Sequence, residues 1–190
     1  FLIGILFSVV AIIFSLWVFE AQASMVMVLL VVMMSIPLMY STIFYEEKYD
    51  TEGDRSEKTL LKHHGKTLMF LTLLFLGFLV GFTLLYVFMP GETVGTLFSA
   101  QNEAIMQING VTGHAIGGWA DFTTILANNL KVTIFCLFFA FFFGAGAIFI
   151  LAWNVSVIAA AAGNFFRSAI VEFAGSSGAI KAYFYFHVFG

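Results

Sequence analysis

Long apolar runs separated by short polar interruptions dominate the chain, and their lengths indicate which elements form. A helix that crosses a membrane needs about 20 mostly apolar residues, because each residue advances it by about 1.5 Å. Residues 1–19, 23–44 and 67–89 meet this requirement. Only Glu20-Ala-Gln-Ala-Ser24 separates the first two runs, so the sequence predicts that they form a helical hairpin, kinked in its second arm at Pro37.

The segment 45–66 differs abruptly in character from the apolar runs on either side. It holds five of the eight lysine and arginine residues of the chain. Basic residues accumulate in the cytoplasmic loops of membrane proteins, and acidic residues affect this bias little, so the segment is predicted to be a cytoplasmic loop. Asp54 and Glu57 have the spacing of a capping box, which predicts that the next helix begins near Arg55.

Residues 90–127 contain no lysine or arginine, and they are therefore predicted to lie outside the cytoplasm. Apolar positions recur there at helical spacing, at Val94, Leu97, Phe98, Ile105 and Ile108. Polar positions lie between them, at Glu92, Gln101, Asn102 and Gln107. This pattern predicts an amphipathic helix on the outer membrane face, followed by a flexible break over 110–118 and a second short helix.

The segment 128–166 is too long for one ordinary membrane crossing. It enters from outside at Asn128, whereas Arg167 and Lys181 predict that residues 167–190 lie inside, so an odd number of crossings is expected. Its roughly 36 apolar residues would form a straight helix of about 54 Å, well beyond a hydrocarbon core of about 30 Å. We therefore predict a broken or re-entrant span, with bends at Gly144–Gly146 and Trp153–Asn154.

Together these segments predict an all-α, polytopic integral membrane protein that forms one membrane domain over residues 1–190. The chain is 61% hydrophobic and only 10% charged, whereas soluble domains are about a quarter charged. The lipid bilayer is thus its expected surroundings and the cell membrane its expected location. The chain begins and ends within apolar runs and has no signal-peptide pattern, so we expect both ends to be cut, the last one within a truncated span.

Candidate chemistry is sparse. The net charge is −3 and basic residues cluster only in the segment 45–66, which argues against a nucleic-acid partner. His63 and His64 are consecutive, so on a helix they point about 100° apart and cannot hold one metal ion together. Cys136 is the lone cysteine, and no Ser/His/Asp pattern or phosphate-binding glycine loop is found. The sequence predicts no metal, no cofactor and no enzymatic activity.

Small residues recur at helical spacing and predict close helix packing. They are Gly77 and Gly81, Ala140 and Gly144, and the run 159–163. Faces with small residues four apart let two membrane helices approach closely. Because the predicted segments offer more of this surface than they need internally, we expect a homo-oligomer, specifically a dimer, which Gly81→Leu would weaken.

Asparagine side chains mark the segment 128–166. Asn128 and Asn129 either cap the first turn of the span that follows or mark the mouth of a polar cavity. In the second case Asn154 and Asn164 lie farther along the same route. For Asn154, a hydrogen bond to a neighbouring helix is favoured.

Charged residues and one histidine near the C-terminal end complete the candidates. Arg167 and Glu172 either lie at the cytoplasmic surface as ordinary interfacial residues or lie deeper, where a charge costs about 2.5–3.5 kcal/mol on insertion scales. His187 stands alone in an apolar setting and is expected to have a structural role.

Several short sequences occur in a characteristic order. After the hairpin with Pro37 and the basic helix come LFSAQNEAI (97–105), NNLKV (128–132), FGAGAIFILAWN (143–154) and YFYFHVFG (183–190). In this order they resemble the stage II sporulation protein M family, which in archaea is a domain of unknown function. The resemblance covers nearly the whole chain. In that family a His-Gly near the C-terminus is followed by an acidic residue and further membrane helices, whereas here the chain has His187-Val-Phe-Gly190.

The resemblance implies a membrane scaffold of a cell-wall remodelling complex that recruits peptidoglycan-degrading partners, although archaeal members have no settled role. We therefore expect a non-enzymatic scaffold of an envelope- or membrane-remodelling assembly. The alternative is a channel or transporter subunit that uses the broken helix 130–166, because transporters coordinate solutes at interrupted helices. A scaffold interior should be dry, whereas a transporter needs a water-filled path, here lined by Asn128, Asn154, Asn164 and Arg167.

Overall fold

The computed structural model describes residues 1–51, 57–112, 123, 126–127, 130, 134 and 146–174, and these residues form helices with no strand among them. The helices are α1 (Leu2–Phe19), α2 (Ala23–Thr51), α3 (Glu57–Phe88), α4 (Gly91–Leu97), α5 (Ser99–Thr112) and α6 (Gly146–Ala174). Three helical stretches, Leu2–Thr42, Gly65–Phe88 and Ile148–Glu172, are long and apolar enough to cross a membrane. The all-α class is thus confirmed, and a multi-pass membrane protein is consistent with these lengths.

The first two helices form the hairpin that the sequence predicts. A short 3-10 turn, Glu20–Gln22, separates α1 from α2, and the two helices pack against each other. α2 continues through Pro37, and the hydroxyl of Ser41 donates a hydrogen bond of 2.6 Å to the carbonyl of this proline. Within the apolar helices, Ser8 and Ser35 likewise donate to the carbonyls four residues earlier, so neither hydroxyl is left unpaired in an apolar setting.

α2 is longer than the sequence analysis predicts, whereas α3 begins close to the predicted start near Arg55. α2 extends to Thr51 and α3 begins at Glu57, so most of the predicted loop is helical. The apolar pattern ends before the helix does, because a backbone that already makes its own hydrogen bonds can continue into water when the residues favour a helix. α2 therefore extends about two turns beyond its apolar stretch, and α3 begins nearly three turns before its own.

Three glycines, Gly4 of α1 and Gly77 and Gly81 of α3, set the contact between these two helices. A methyl group at Gly4 would lie 2.6 Å from the carbonyl oxygen of Leu74 and 2.9 Å from the Cα atom of Gly77. A methyl group at Gly81 would lie 2.8 Å from the Cβ atom of Ser8. Real Cβ atoms do not tolerate such distances, so the two backbones meet at a spacing that only glycine permits.

The same contact removes an argument for a dimer. The sequence analysis treats Gly77 and Gly81 as a surface available to a second chain, but both are buried against α1 of their own chain. Gly163 is likewise buried, against the ring of Tyr86. These small residues are therefore used internally, because the hairpin folds back onto α3, and a change at Gly81 would not report on dimerisation alone. The dimer itself stays a prediction.

α6 lies along the opposite side of α3, and the buried core of the bundle lies between these helices. Phe78 and Phe82 of α3 and Ala159 and Ala160 of α6 are fully buried. α6 runs without interruption through Trp153 and Asn154, so the bend predicted there is wrong. The reason is that neither residue breaks a helix in an apolar setting where the backbone must satisfy its own hydrogen bonds. Helix also continues past residue 166, to Ala174.

The second predicted bend lies at the start of this helix. Gly146 is the first residue of α6. Gly144, Asn128, Asn129 and His187 lie outside the part of the chain that the structure describes.

Exposed aromatic residues mark two levels of the bundle. Trp17 is 78% exposed near the end of α1, and Tyr40 and Tyr45 are exposed in the second half of α2. Such residues concentrate at membrane–water interfaces. From Ser24 to Tyr40 the helix rises about 24 Å, which is close to the thickness of a hydrocarbon core of about 30 Å. The two levels thus fit the two faces of a bilayer.

Replacing Gly77 by alanine should destabilise the fold, because the added methyl group would collide with the backbone of α1 at Phe1, Gly4 and Ile5. We expect a loss of about 1–3 kcal/mol, measured as a lower melting temperature in detergent. Gly65→Ala is the matched control on the same helix, since nothing lies within 4 Å of its added methyl group. Equal melting temperatures for the two variants would contradict the packing of α3 on α1.

Candidate functional site: a polar network beneath two short helices

The short helices α4 and α5 pack against the long helices near the C-terminal end of α3. After α3 the chain turns at Pro90, whose φ and ψ angles are −55° and 148°, and α4 leads back towards the bundle. The two short helices meet at Phe98, whose ring is fully buried 4.8 Å from the ring of Tyr86 and 6.2 Å from that of Phe82, between centroids. Because Phe82 lies about 9 Å below the end of α3, the ring of Phe98 reaches below that end.

Gln101 fixes α5 to two long helices. Its side chain is 0% exposed, and its Oε1 atom accepts a hydrogen bond of 2.7 Å from the hydroxyl of Ser24 in α2. Its Nε2 atom donates to the hydroxyl of Ser156 in α6 at 3.1 Å and, at a longer 3.5 Å, to the carbonyl of Ser24. The carboxamide thus uses its oxygen and its nitrogen inside the bundle, as a buried amide must.

Both serines make a second hydrogen bond. The Ser24 hydroxyl oxygen accepts from the N–H of Ala100 at 3.1 Å, which satisfies a donor in the first turn of α5. The Ser156 hydroxyl donates to the carbonyl of Trp153 at 2.8 Å. Since each hydroxyl donates once and accepts once, the network around Gln101 is internally consistent.

The neighbouring residue, Asn102, joins a second network at the rim. The hydroxyl of Tyr86 in α3 lies 2.7 Å from Oδ1 of Asn164 in α6 and 3.1 Å from Oδ1 of Asn102. Nδ2 of Asn164 donates to Oδ1 of Asn102 at 3.3 Å. The tyrosine hydroxyl has one hydrogen, and the shorter distance indicates that it donates to Asn164. Unlike Gln101, this group is reached from the surface, because Asn164 is exposed.

Arg167 holds the end of α3. Its guanidinium donates a hydrogen bond of 2.9 Å to the carbonyl of Met89, and its Cζ atom lies 5.8 Å from the centroid of the Tyr86 ring. The side chain is only 7% exposed. The last carbonyls of a helix have no intrahelical partner and carry partial negative charge, so a cation there is favourable. The ring face of Tyr86 adds a cation–π contact.

This contact overturns one part of the predicted topology. Met89 ends the span Gly65–Phe88, and the sequence analysis assigns it to the outside but assigns Arg167 to the inside. The two groups are 2.9 Å apart, so they cannot lie on opposite sides of a membrane about 30 Å thick. The prediction that Arg167 is an interfacial residue of the opposite face is wrong, because the count of basic residues carries no information on packing.

Two contacts between α3 and α6 indicate the direction in which α6 runs. Gly163 of α6 lies against Tyr86 of α3. Arg167, one turn after Gly163, donates to the carbonyl of Met89, which lies nearly one turn after Tyr86. The matching order indicates that the two helices run in the same direction at this end. Glu172 then lies beyond Arg167 on the side of α4 and α5, where its side chain is exposed.

The structure does not bring the other predicted site residues together. Asn164 belongs to the network, whereas the side chain of Asn154 is exposed and ten residues away along α6. The two are therefore not successive groups on one buried route. Gly77 and Gly81 position α1 and are not part of the polar network.

Sequence analysis missed the centre of the network. It assigned Gln101 to the solvent face of an amphipathic helix, and that assignment is wrong. A signal was present, because Gln101 falls three or four residues from Leu97, Phe98 and Ile105 and so shares their apolar face. A polar residue on an apolar face predicts a buried partner. The identity of that partner could not be found from spacing, since Ser24 is 77 residues away.

The side chains of this network form hydrogen bonds that connect neighbouring helices. Its members are hydroxyls, carboxamides and one guanidinium, and none of these is a strong acid, base or nucleophile near neutral pH. Over the described ranges, no three His, Cys, Asp or Glu side chains are grouped as a metal site needs. The predictions of no cofactor and no metal stay predictions for the whole chain.

Gln101→Leu should weaken the fold, because it leaves the Ser24 hydroxyl buried without its acceptor. An orphaned buried polar group costs about 1–3 kcal/mol, which thermal unfolding in detergent would detect. Gln107→Leu is the control, since Gln107 lies in the same helix but is exposed. If both changes lowered the melting temperature equally, Gln101 would not anchor α5.

Because Met89 and Arg167 lie at the same level, residues near them should be labelled from the same side of the membrane. In a Cys136→Ser background, Glu103→Cys and Glu172→Cys should react with an impermeant maleimide added to one side of sealed vesicles. Lys66→Cys, at the other end of α3, should react only from the opposite side. All three residues are exposed. Labelling of Glu172→Cys together with Lys66→Cys would contradict the direction inferred for α6.

The chain matches no known protein-family model, no curated protein and no solved structure. Its resemblance to the stage II sporulation protein M family rests on the short sequences named above and stays a prediction.

Proposed function

We propose that this chain is a non-enzymatic integral membrane scaffold of a cell-envelope or membrane-remodelling assembly. The observation that carries the proposal is the attachment of α4 and α5 to the long helices. Hydrogen bonds at Gln101 and Asn102 join α5 to α2 and α6. A scaffold needs such a fixed element at the membrane surface, because a partner that binds a mobile segment must first order it.

The outward face of these helices supplies the surface for a partner. In α5 the side chains of Ser99, Glu103, Met106 and Gln107 are exposed, while Gln101 between them is buried. Met106 is 66% exposed and presents a flexible apolar side chain among polar neighbours. An apolar residue rimmed by polar ones is typical of protein interfaces. The proposed partners are proteins of an envelope-remodelling assembly, and the proposed location is the cell membrane.

The rigidity of this platform has a physical cause. A helix lying on a membrane is held by apolar contact alone, which allows it to slide and rotate. α5 combines the burial of Leu97 and Phe98, just before its first residue, with directional hydrogen bonds at two successive residues, Gln101 and Asn102. Hydrogen bonds fix the rotation of the helix, so its outward residues keep one orientation.

A channel or transporter subunit remains the second candidate, and one observation favours it. The ring of Phe98, between α4 and α5, reaches below the end of α3, and Gln101, Ser24 and Ser156 place polar atoms among long apolar helices. Short helices that return into a membrane domain often line solute paths. In this reading, the buried hydrogen bonds would open to water during transport.

Photo-crosslinking in the native membrane tests the scaffold. A crosslinking amino acid at Met106 should capture a discrete protein, because this residue lies on the proposed platform. The control is the same amino acid at Trp17, which is at least as exposed as Met106 but lies in the apolar surface of α1. Capture of the same protein from both positions, or from Trp17 alone, would contradict a platform on α5.

Thiol reactivity separates the two candidates. In a Cys136→Ser background, a cysteine at Ser156 should resist small hydrophilic thiol reagents in sealed membranes if the network is dry. A cysteine at Ser99, exposed at the start of α5, is the positive control. Rapid reaction at Ser156 would favour the channel or transporter and would defeat the scaffold.

A further inference from the structure

One face of α6 carries a carboxamide that no described residue bonds. The side chain of Asn154 is exposed and makes no hydrogen bond within the described part of the chain. Residues 146–166 contain no charged side chain, and this part of α6 is about 31 Å long, close to a hydrocarbon core of about 30 Å. Asn154 lies about 12 Å after Gly146 along it. Because lipid tails cannot form hydrogen bonds, the amide needs a partner on another helix.

Asn154 belongs to a stripe of exposed residues that has the spacing of a coiled coil. Asn154, Ala161 and Ser168 are seven residues apart, and Ile158 and Phe165 lie four residues after the first two of them. All five side chains are exposed, and we call them the α6 stripe. Polar or small residues thus alternate with large apolar ones along one seam. This is the heptad pattern of two membrane helices that pack at a crossing angle of about 20°.

The α6 stripe faces away from the helices of its own chain. Gly163 lies on the opposite side of α6, against the ring of Tyr86. It is nine residues from Asn154, which is about two and a half turns of about 3.6 residues, so the two residues point in opposite directions. The described helices therefore pack on the Gly163 side and leave the α6 stripe for another helix.

The chemistry of the carboxamide indicates which helix fits. Residues 132–145, which precede α6, have only Thr133 and Cys136 as polar side chains. A single hydroxyl or thiol matches a carboxamide poorly, because asparagine offers two N–H donors and an oxygen with two lone pairs. A second asparagine matches it group for group, since each oxygen accepts from the nitrogen of the other.

We infer that a second copy of this chain packs on the α6 stripe and that the two Asn154 side chains hydrogen-bond to each other. Two copies in a membrane share one orientation, so their two-fold axis is perpendicular to the bilayer and equivalent helices meet in parallel. Equivalent residues then face each other, and the asparagine pair fixes the register of the seam. This interface replaces Gly77 and Gly81 as the surface for a dimer. It does not depend on the proposed scaffold function.

Cysteine crosslinking in membranes tests which face meets the second copy. In a Cys136→Ser background, Ala161→Cys and Phe165→Cys should form disulfide-linked dimers under a mild oxidant. Phe166→Cys is the matched control, because this neighbour is also exposed but points about 100° away from Phe165. Equal crosslinking at Phe165 and Phe166, or no dimer from Ala161 and Phe165, would overturn the inference.

Energy transfer between donor-labelled and acceptor-labelled copies in vesicles measures the contribution of the amide. Asn154→Leu should weaken the association by about fivefold to thirtyfold, because polar pairs between membrane helices contribute about 1–2 kcal/mol in model peptides. Asn154→Gln keeps a carboxamide and should retain most of the association. An unchanged association in Asn154→Leu would show that the amide is not at the interface.

The melting temperature of the dilute, monomeric chain in detergent separates a second copy from a segment of the same chain. It should be the same for Asn154→Leu and the native chain, because no described residue bonds this amide. If residues 175–190 bonded Asn154, the variant would melt at a lower temperature while its association stayed unchanged, and the inference would be wrong. Crosslinking at Met106 is a separate readout, so failure of the scaffold and failure of this interface can be distinguished.

Discussion

A polar group surrounded by apolar helices has no water to bond, so it must find its partner within the protein. The structure depends on this constraint at Gln101, whose carboxamide reaches the hydroxyls of Ser24 and Ser156 on two different long helices. One side chain therefore determines where α5 lies relative to α2 and α6. Asn102 adds a further attachment to α6, because its Oδ1 atom accepts a hydrogen bond from Asn164. A surface helix without these groups would have no preferred rotation.

The second determinant is how closely the helices approach. Lipid-embedded helices gain little from burying apolar surface against one another, so association depends on close van der Waals contact. Gly4 and Gly77 bring the backbones of α1 and α3 together, and Gly163 brings α6 to the ring of Tyr86. α3 is thus the central element, with a backbone contact on one side and an aromatic contact on the other. Its C-terminal end carries both Tyr86 and the carbonyl bonded by Arg167.

Charge is distributed unequally between the two ends of this bundle. The end beside α4 and α5 holds one buried arginine, which is engaged with a helix terminus and an aromatic ring. The other end carries Lys58, Lys62 and Lys66 along one stripe of α3. The first arrangement suits a fixed protein platform, because its charge is used internally.

The sequence by itself determined the elements: apolar runs of membrane-spanning length, the interruption at Glu20–Gln22, and helical periodicity in residues 94–108. These follow from local hydrogen bonding and solvent preference. Only the tertiary structure decided which faces meet, because Gln101 and Ser24 are 77 residues apart and no spacing rule connects them. It also decided that Gly77 and Gly81 serve their own chain, and that Arg167 shares a level with Met89. Counting basic residues predicts the side of each loop from composition alone, whereas the hydrogen bond from Arg167 to the end of α3 shows by direct contact that the two lie at one level.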